Sequence, residues 1–407
     1  MKKFNKLLML FMVLTLAAVL AACAGSESDS DSDGPTKEPS KEEGTVTEVG
    51  GSKEFNLLVG SEPPSLHPGI AEDTTSGVVL QSTFEGLMTM VDGKPVESGA
   101  QSYEVSPDLL TYTFTLREGA RWSNGDPVTA NDYAYAWKWA LDPVNASGYA
   151  SILYAIKGAE AFNLELEGGS VDNLGINVVS DSVIEVTLEV PTPNFLELTA
   201  FKTMYPIHQA TQESNEAWFT EASSFVSNGP YKLTEWVHQG SLTLEKSDQY
   251  WDAASVAVDK VNIAIVESEA TQMNMYDAGE VDFIGTSYGS IALDSIERLK
   301  KEGTLQIADY TGIYWYKTNT TDKIMKNVNI RKALALSINR AELIKNITKG
   351  EQQPALGIVP NGVPGFGDDA GYFKDADIET AKEYLAKGLA ELGLSDPSEL
   401  TIKLSYN

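Results

Sequence analysis

Tyr112-Thr-Phe-Thr-Leu-Arg-Glu-Gly-Ala-Arg-Trp-Ser-Asn-Gly-Asp-Pro-Val-Thr-Ala-Asn-Asp132 changes character twice. Tyr112 to Leu116 alternates with period two and is mostly β-branched or aromatic, which predicts a strand with one buried face. Ser123-Asn-Gly-Asp126 supplies turn residues, and Thr129 stands as a cap before a helix expected over Ala130–Ala140. Arg117, Glu118 and Asp126 are charged groups of the kind used in catalysis. Within a strand followed by a turn, their expected role is turn chemistry and surface pairing. Trp122, Trp137 and Trp139 are expected in the core. Strand, turn and helix in so short a span indicate a mixed α/β protein.

Outward from this stretch the pattern continues. Strands are predicted at Phe55–Val59, Val183–Leu188, Leu242–Glu245 and Val261–Val266. Helices are predicted at Ala270–Ala278, Ile291–Lys301, Asn329–Ile338, Arg340–Thr348 and Ile378–Leu392. The last carries Ala381, Leu385 and Leu389 on one face. The alternation suggests at least two α/β lobes plus a mixed insertion. Leu400–Tyr406 reads as a strand with no continuation, which suggests a C-terminally truncated sequence.

The chain has 407 residues, 58 acidic against 30 basic, for a net charge of −28. A hydrophobic fraction of 42% supports a large folded core, and the length suits two or three domains. The sign of the charge argues against nucleic acid as a partner. One cysteine permits neither an intrachain disulfide nor a cysteine-based zinc site. His67, His208 and His238 are widely spaced, so no histidine metal motif is present, and no metal or cofactor is expected.

Lys2, Lys3 and Lys6 precede an uncharged run from Leu7 to Ala22, the pattern of a secretory signal. The run ends Leu20-Ala21-Ala22-Cys23, which resembles a bacterial lipobox; the alternative is a buried free thiol behind a short anchor. Cleavage before Cys23 would leave 27 basic against 58 acidic residues, a charge of −31. Such a surface is repelled by anionic headgroups, so attachment would rest on diacylglycerol carried by Cys23. Residues 23–54, rich in Ser, Asp, Glu and Gly beyond the cysteine, are expected to be a disordered tether.

Gly285-Thr286-Ser287-Tyr288-Gly289 matches the G-x-S-x-G of a nucleophile elbow and sits between a predicted strand, Val281–Ile284, and a predicted helix. That chemistry needs a histidine later in the chain, and none follows His238. A loop of small residues explains the pattern equally well, and no enzymatic activity is expected.

Several ordered segments resemble the peptide-binding family of ABC-importer substrate-binding proteins, the oligopeptide-binding lipoproteins in particular. These are Glu62-Pro-Pro-Ser-Leu-His-Pro68, with His67 in place of the usual Asp, Phe84-Glu-Gly-Leu87, and the stretch from Tyr112 to Asp132. Asn228-Gly-Pro-Tyr-Lys-Leu-Thr-Glu-Trp236, Gln249-Tyr-Trp-Asp252, Gly279-Glu-Val-Asp282 and Asn329-Ile-Arg-Lys-Ala-Leu334 follow in order. The resemblance runs from about Phe55 to Asn407.

It implies a two-lobed, class II periplasmic-binding-protein-like α/β fold. Lobe I would take residues 55–84 and 209–311, an inserted domain 85–208, and an incomplete lobe II 312–407. In such a fold the lobes close over an extended peptide that adds as a strand. By motif position, ligand contacts are implied for Glu72, Asp73 and Thr74, for Tyr149, for Gly285, Thr286 and Ser287, and for Tyr310 and Trp315. The last two lie beside Tyr314 and Tyr316, and core packing is the alternative for them. The implied partners are an oligopeptide, ABC permease subunits and the membrane through Cys23, with a monomeric protein on the extracytoplasmic face. A peptide-pheromone sensor is the alternative function, and a binder of nickel chelates or another small solute on the same fold is a third.

Overall fold

A computed structural model describes residues 53–363, 366 and 371–405; Cys23, the leader and most of the tether lie outside them. The chain enters on β1 (Glu54–Val59), which pairs in parallel with β10 (Lys260–Ile265), Glu54 opposite Lys260 and Val59 opposite Ile265. β10 pairs antiparallel with β9 (Ser241–Lys246), and β9 with β8 (Tyr231–Val237), giving the order β1-β10-β9-β8. Everything between β1 and β8 is therefore spliced into the connection between two strands of one sheet. A hairpin of β2 (Met88–Val91) and β3 (Lys94–Glu97) follows, its Asp92-Gly93 turn having both residues at positive φ, as a two-residue hairpin requires. Next comes an antiparallel sheet ordered β4-β5-β7-β6, from β4 (Ala100–Val105), β5 (Thr111–Leu116), β6 (Ile176–Ser180) and β7 (Val183–Thr187).

The stretch from Tyr112 to Asp132 folds as its pattern requires. Tyr112, Phe114 and Leu116 are buried on alternate positions of β5. The turn closes through Trp122 N–H to the Asp126 carbonyl and Gly125 N–H to the Trp122 carbonyl, both 2.8 Å. Asp132 then ties turn to helix, its carboxylate accepting from Thr129 N–H at 2.8 Å and Trp122 Nε1 at 3.3 Å. The helix spans Ala130–Leu141 and buries Trp137, whose Nε1 donates to the Met204 carbonyl at 2.9 Å. Trp122 is buried, and Trp139 packs at the edge of the same core. That core runs from Leu57 to Ile263 and draws on both four-stranded sheets.

The widely separated motifs meet at one buried carboxylate. Glu85 accepts from Ser98 Oγ at 2.6 Å, Tyr250 Oη at 2.8 Å and Trp251 Nε1 at 2.8 Å. Arg117 is no surface pairing group: its guanidinium lies 3.8 Å over the Trp251 ring and its Nε donates to the Ser98 carbonyl at 2.7 Å. Asn228 clasps the Glu85 backbone, accepting from its N–H at 3.1 Å and donating to its carbonyl at 3.0 Å. Gly229 follows because a Cβ there would come within 2.5 Å of the Thr83 backbone.

Helices dominate the C-terminal part. Val328–Ser337 packs on Ile378–Leu392, where Gly388 leaves room for Ile330; a Cβ would sit 2.6 Å from its Cδ1. Asp375 pairs with Arg340 at 3.0 Å.

Four predicted elements change. Val281–Ile284 is not a strand: Asp282 instead accepts from Asn56 N–H at 2.7 Å with its side chain, fixing an irregular segment against β1. The helix expected from Ile291 starts at Ile296, because the Ser290 N–H is held at 2.8 Å by Gln272 Oε1 in a loop that precedes it. Residues 400–405 are irregular, half-buried at Leu400 and exposed from Thr401 on, with no strand beside them among the described residues, and an unpaired strand has no partner for its backbone groups. The Arg340–Thr348 helix is α-helical only over Arg340–Leu343 and widens to a π turn over Ile344–Thr348. Among the described residues, no helix is long and apolar enough to cross a membrane.

Candidate functional site

Beyond β1, Glu62 anchors the turn, accepting from Trp236 Nε1 at 2.9 Å, His238 Nδ1 at 2.8 Å and Gln239 N–H at 2.8 Å. His67, the departure from the motif, is buried, its ring 4.1 Å from that of Trp139. Burial lowers its pKa to about 4, so the imidazole is neutral. Nδ1 accepts from Gly69 N–H at 3.1 Å, which leaves Nε2 to donate to Gln212 Oε1 at 3.2 Å. The Ile70 and Ala71 N–H groups close on the His67 carbonyl, both at 3.0 Å, and turn the chain into Glu72.

Glu72, Asp73 and Thr74 then form a ledge at the head of the Thr74–Thr83 helix. Asp73 is its N-cap, accepting from Ser76 N–H at 2.7 Å. Glu72 and Thr74 are exposed. Among the described residues, the backbone N–H groups of Glu72, Asp73 and Thr74 make no hydrogen bond. Tyr149 reaches this ledge from 77 residues away and donates its hydroxyl to the Glu72 carbonyl at 3.2 Å. Its ring stands edge-on to Phe201, 5.4 Å between centroids. Lys202 completes the group, with Nζ 5.2 Å from the Tyr149 centroid and 5.0 Å from that of Phe201. The structure thus brings Glu72, Asp73, Thr74 and Tyr149 together and adds Phe201 and Lys202, which the sequence reading missed. One signal was present: Lys202 is the only lysine or arginine between Lys157 and Lys232.

Gly285, Thr286 and Ser287 are not at the ledge. They form a tight turn closed by Tyr288 N–H to the Gly285 carbonyl at 2.7 Å, with Ser287 exposed at φ +70°. Tyr288 meets Ser82 near the far end of the Thr74–Thr83 helix, about 12 Å along the axis from Thr74 at 1.5 Å per residue. Among the described residues, Ser287 makes no hydrogen bond to a histidine. Tyr310 and Trp315 are 80% and 50% exposed, in an irregular segment outside the buried clusters of the described residues. Trp315 is contacted by Lys317 of the same segment, at 5.8 Å.

No group of three or more His, Cys, Asp or Glu among the described residues is placed to hold a metal ion. Two open cavities, of about 410 and 570 Å³, lie along Glu245–Lys260 and between the Glu269–Asp277 helix and Arg298, away from the ledge.

The profile of the family described as bacterial extracellular solute-binding proteins, family 5 Middle, matches residues 94–407. The chain belongs to this family. It is 51% identical over 361 residues to the oligopeptide-binding protein OppA of Bacillus subtilis, covering 88% of this chain and 66% of that protein. Listeria monocytogenes OppA bound to peptide superposes with TM-score 0.75 at 31% identity, over 85% of this chain and 70% of that one. The peptide-binding pheromone receptor PrgZ superposes with TM-score 0.76 at 27% identity, over 86% and 70%. This chain therefore has the mixed α/β, class II binding-protein fold of the oligopeptide-binding proteins, and it spans about two thirds of the length of the curated relatives it matches.

Proposed function

We propose that this chain is the ligand-capturing lipoprotein of an ABC importer for oligopeptides. It is held on the extracytoplasmic face by diacylglyceryl-Cys23 and hands its ligand to the permease as a monomer. In this reading residues 55–84 and 209–311 form one lobe, 85–208 the inserted domain, and 312–407 part of the second lobe. The chain binds without catalysis, and Ser287 is a turn residue. The observation that carries the reading is the ledge: three consecutive free N–H groups beside an aromatic wall, with Tyr149 fixing the Glu72 carbonyl. An extended peptide can donate to and accept from such a backbone while its side chains go largely unread.

Calorimetric titration of the lipid-free protein with short peptides tests this. Tyr149→Ala is expected to weaken peptides of unrelated sequence alike, by roughly ten- to a hundredfold, the effect of losing an aromatic anchor. N-methylation of the ligand backbone is expected to cost more than changing a side chain. If scrambling the sequence abolished binding while N-methylation did nothing, strand addition would be wrong. The likeness to PrgZ favours a sensor as second reading. Mass spectrometry of the co-purified ligand separates the two, a ladder of peptides indicating uptake and one defined peptide a sensor.

A further inference from the structure

Lys202 stands beside the ledge with no direct polar partner among the described residues. The residue is half-buried, and its ammonium lies beside the rings of both Tyr149 and Phe201. Among the described residues its Nζ makes no hydrogen bond and no ion pair within 4.0 Å. An ammonium carries three donors, and one held out of bulk water without an acceptor is costly. Asp73 and Glu72 are the nearest opposite charges. Asp73 is committed to its helix cap and Glu72 is exposed. Burial pulls the Lys202 pKa down while these two carboxylates push it back up, so the cation is supported at a distance and left uncapped. Gly77 lies close by: a Cβ there would make ordinary van der Waals contact with Nζ at 3.8 Å. In a region otherwise without lysine or arginine from 158 to 231, this one cation stands against the wall of the ledge.

Resting on the peptide-capture reading, we infer that Lys202 receives a carboxylate of the bound peptide and biases the protein toward acidic ligands. The carboxylate comes either from the peptide C-terminus or from an Asp or Glu side chain. A charge-assisted bond to a restrained ammonium forms at either source and is lost when the carboxylate becomes an amide.

The test is calorimetry on the full chain with alanine pentapeptides. One arm compares the free C-terminus with its amide. The other moves a single Glu, against Gln, through the five positions of the amidated peptide. A preference of about tenfold or more for the carboxylate is expected in one arm, which names the source. Lys202→Met should bring that ratio close to one, and Lys202→Arg should restore it. A merely structural lysine would change all affinities together and leave the ratio intact. No carboxylate preference in the unmodified protein, or the same preference in Lys202→Met, overturns the inference. Failure of every peptide to bind overturns the capture reading itself, and this inference with it.

Discussion

Glu85→Ala is expected to lower the stability of the fold by about 3 kcal/mol. The carboxylate is 7% exposed and is the shared acceptor of Ser98, Tyr250 and Trp251. Its removal orphans three donors at once. Tyr250 and Trp251 are partly exposed and recover some hydration, which keeps the effect near the lower end of the range for a broken buried charge network. The Arg117 guanidinium stacked on Trp251 loses its nearby anion as well. Guanidinium unfolding midpoints at constant slope would measure the loss; a change within 0.5 kcal/mol would show that the hub is not a stabilising junction.

The same group predicts a pH dependence. Burial raises the Glu85 pKa above the ordinary carboxylate value, against the opposing pull of its three donors and Arg117. The folded state therefore holds this proton to higher pH than the unfolded state does. The contribution to stability is fully present below the unfolded pKa and falls as pH rises through the raised one. Glu85→Gln removes that slope. The stability of the wild type relative to Glu85→Gln is expected to decline from acid pH toward neutral. A difference that is flat or rises with pH would contradict the direction.

What could be read from the residues follows the range of the forces involved. β5 and the Ala130–Leu141 helix were legible because period-two and capping signals are local, and the structure supplies a buried face for each. Val281–Ile284 has strand-like residues, yet its segment is fixed by the Asp282 carboxylate on the Asn56 backbone, 226 residues away. Residues 400–405 have strand composition but pair with no strand among the described residues. Composition alone cannot report either condition. Of the site, Glu72 to Thr74 and Tyr149 came from the resemblance, and the Tyr149–Glu72 bond gives that grouping a physical form. Lys202 shows in the sequence only as a solitary cation, because its surroundings are assembled from Glu72, Asp73, Gly77 and Tyr149, all distant in sequence. Glu85 was visible as part of Phe84-Glu-Gly-Leu87, but its role appears only when Ser98, Tyr250 and Trp251 are brought around it.

On the lipoprotein reading, Cys23→Ser is expected to abolish lipidation altogether, leaving the protein released or retained as a precursor. In that reading the Cys23 thiolate would be the nucleophile for lipid transfer, and a serine hydroxyl, far less acidic, would not replace it. Each acyl methylene buried in the bilayer contributes about 0.8 kcal/mol, so one chain gives marginal binding and two give a stable anchor. Among the described residues, no helix is long and apolar enough to cross a membrane in its place. The chain cut before Cys23 carries 27 basic against 58 acidic residues, and its field opposes approach to anionic lipid. Without the diacylglyceryl group the protein should appear in the soluble fraction, or accumulate as a precursor whose uncharged Leu7–Ala22 run remains attached. Labelling with a radioactive fatty acid, together with fractionation and N-terminal mass determination, distinguishes these forms. Incorporation of label should fall to background in the variant. A Cys23→Ser protein that stayed on the membrane with a processed N-terminus and no label would show that another element anchors it.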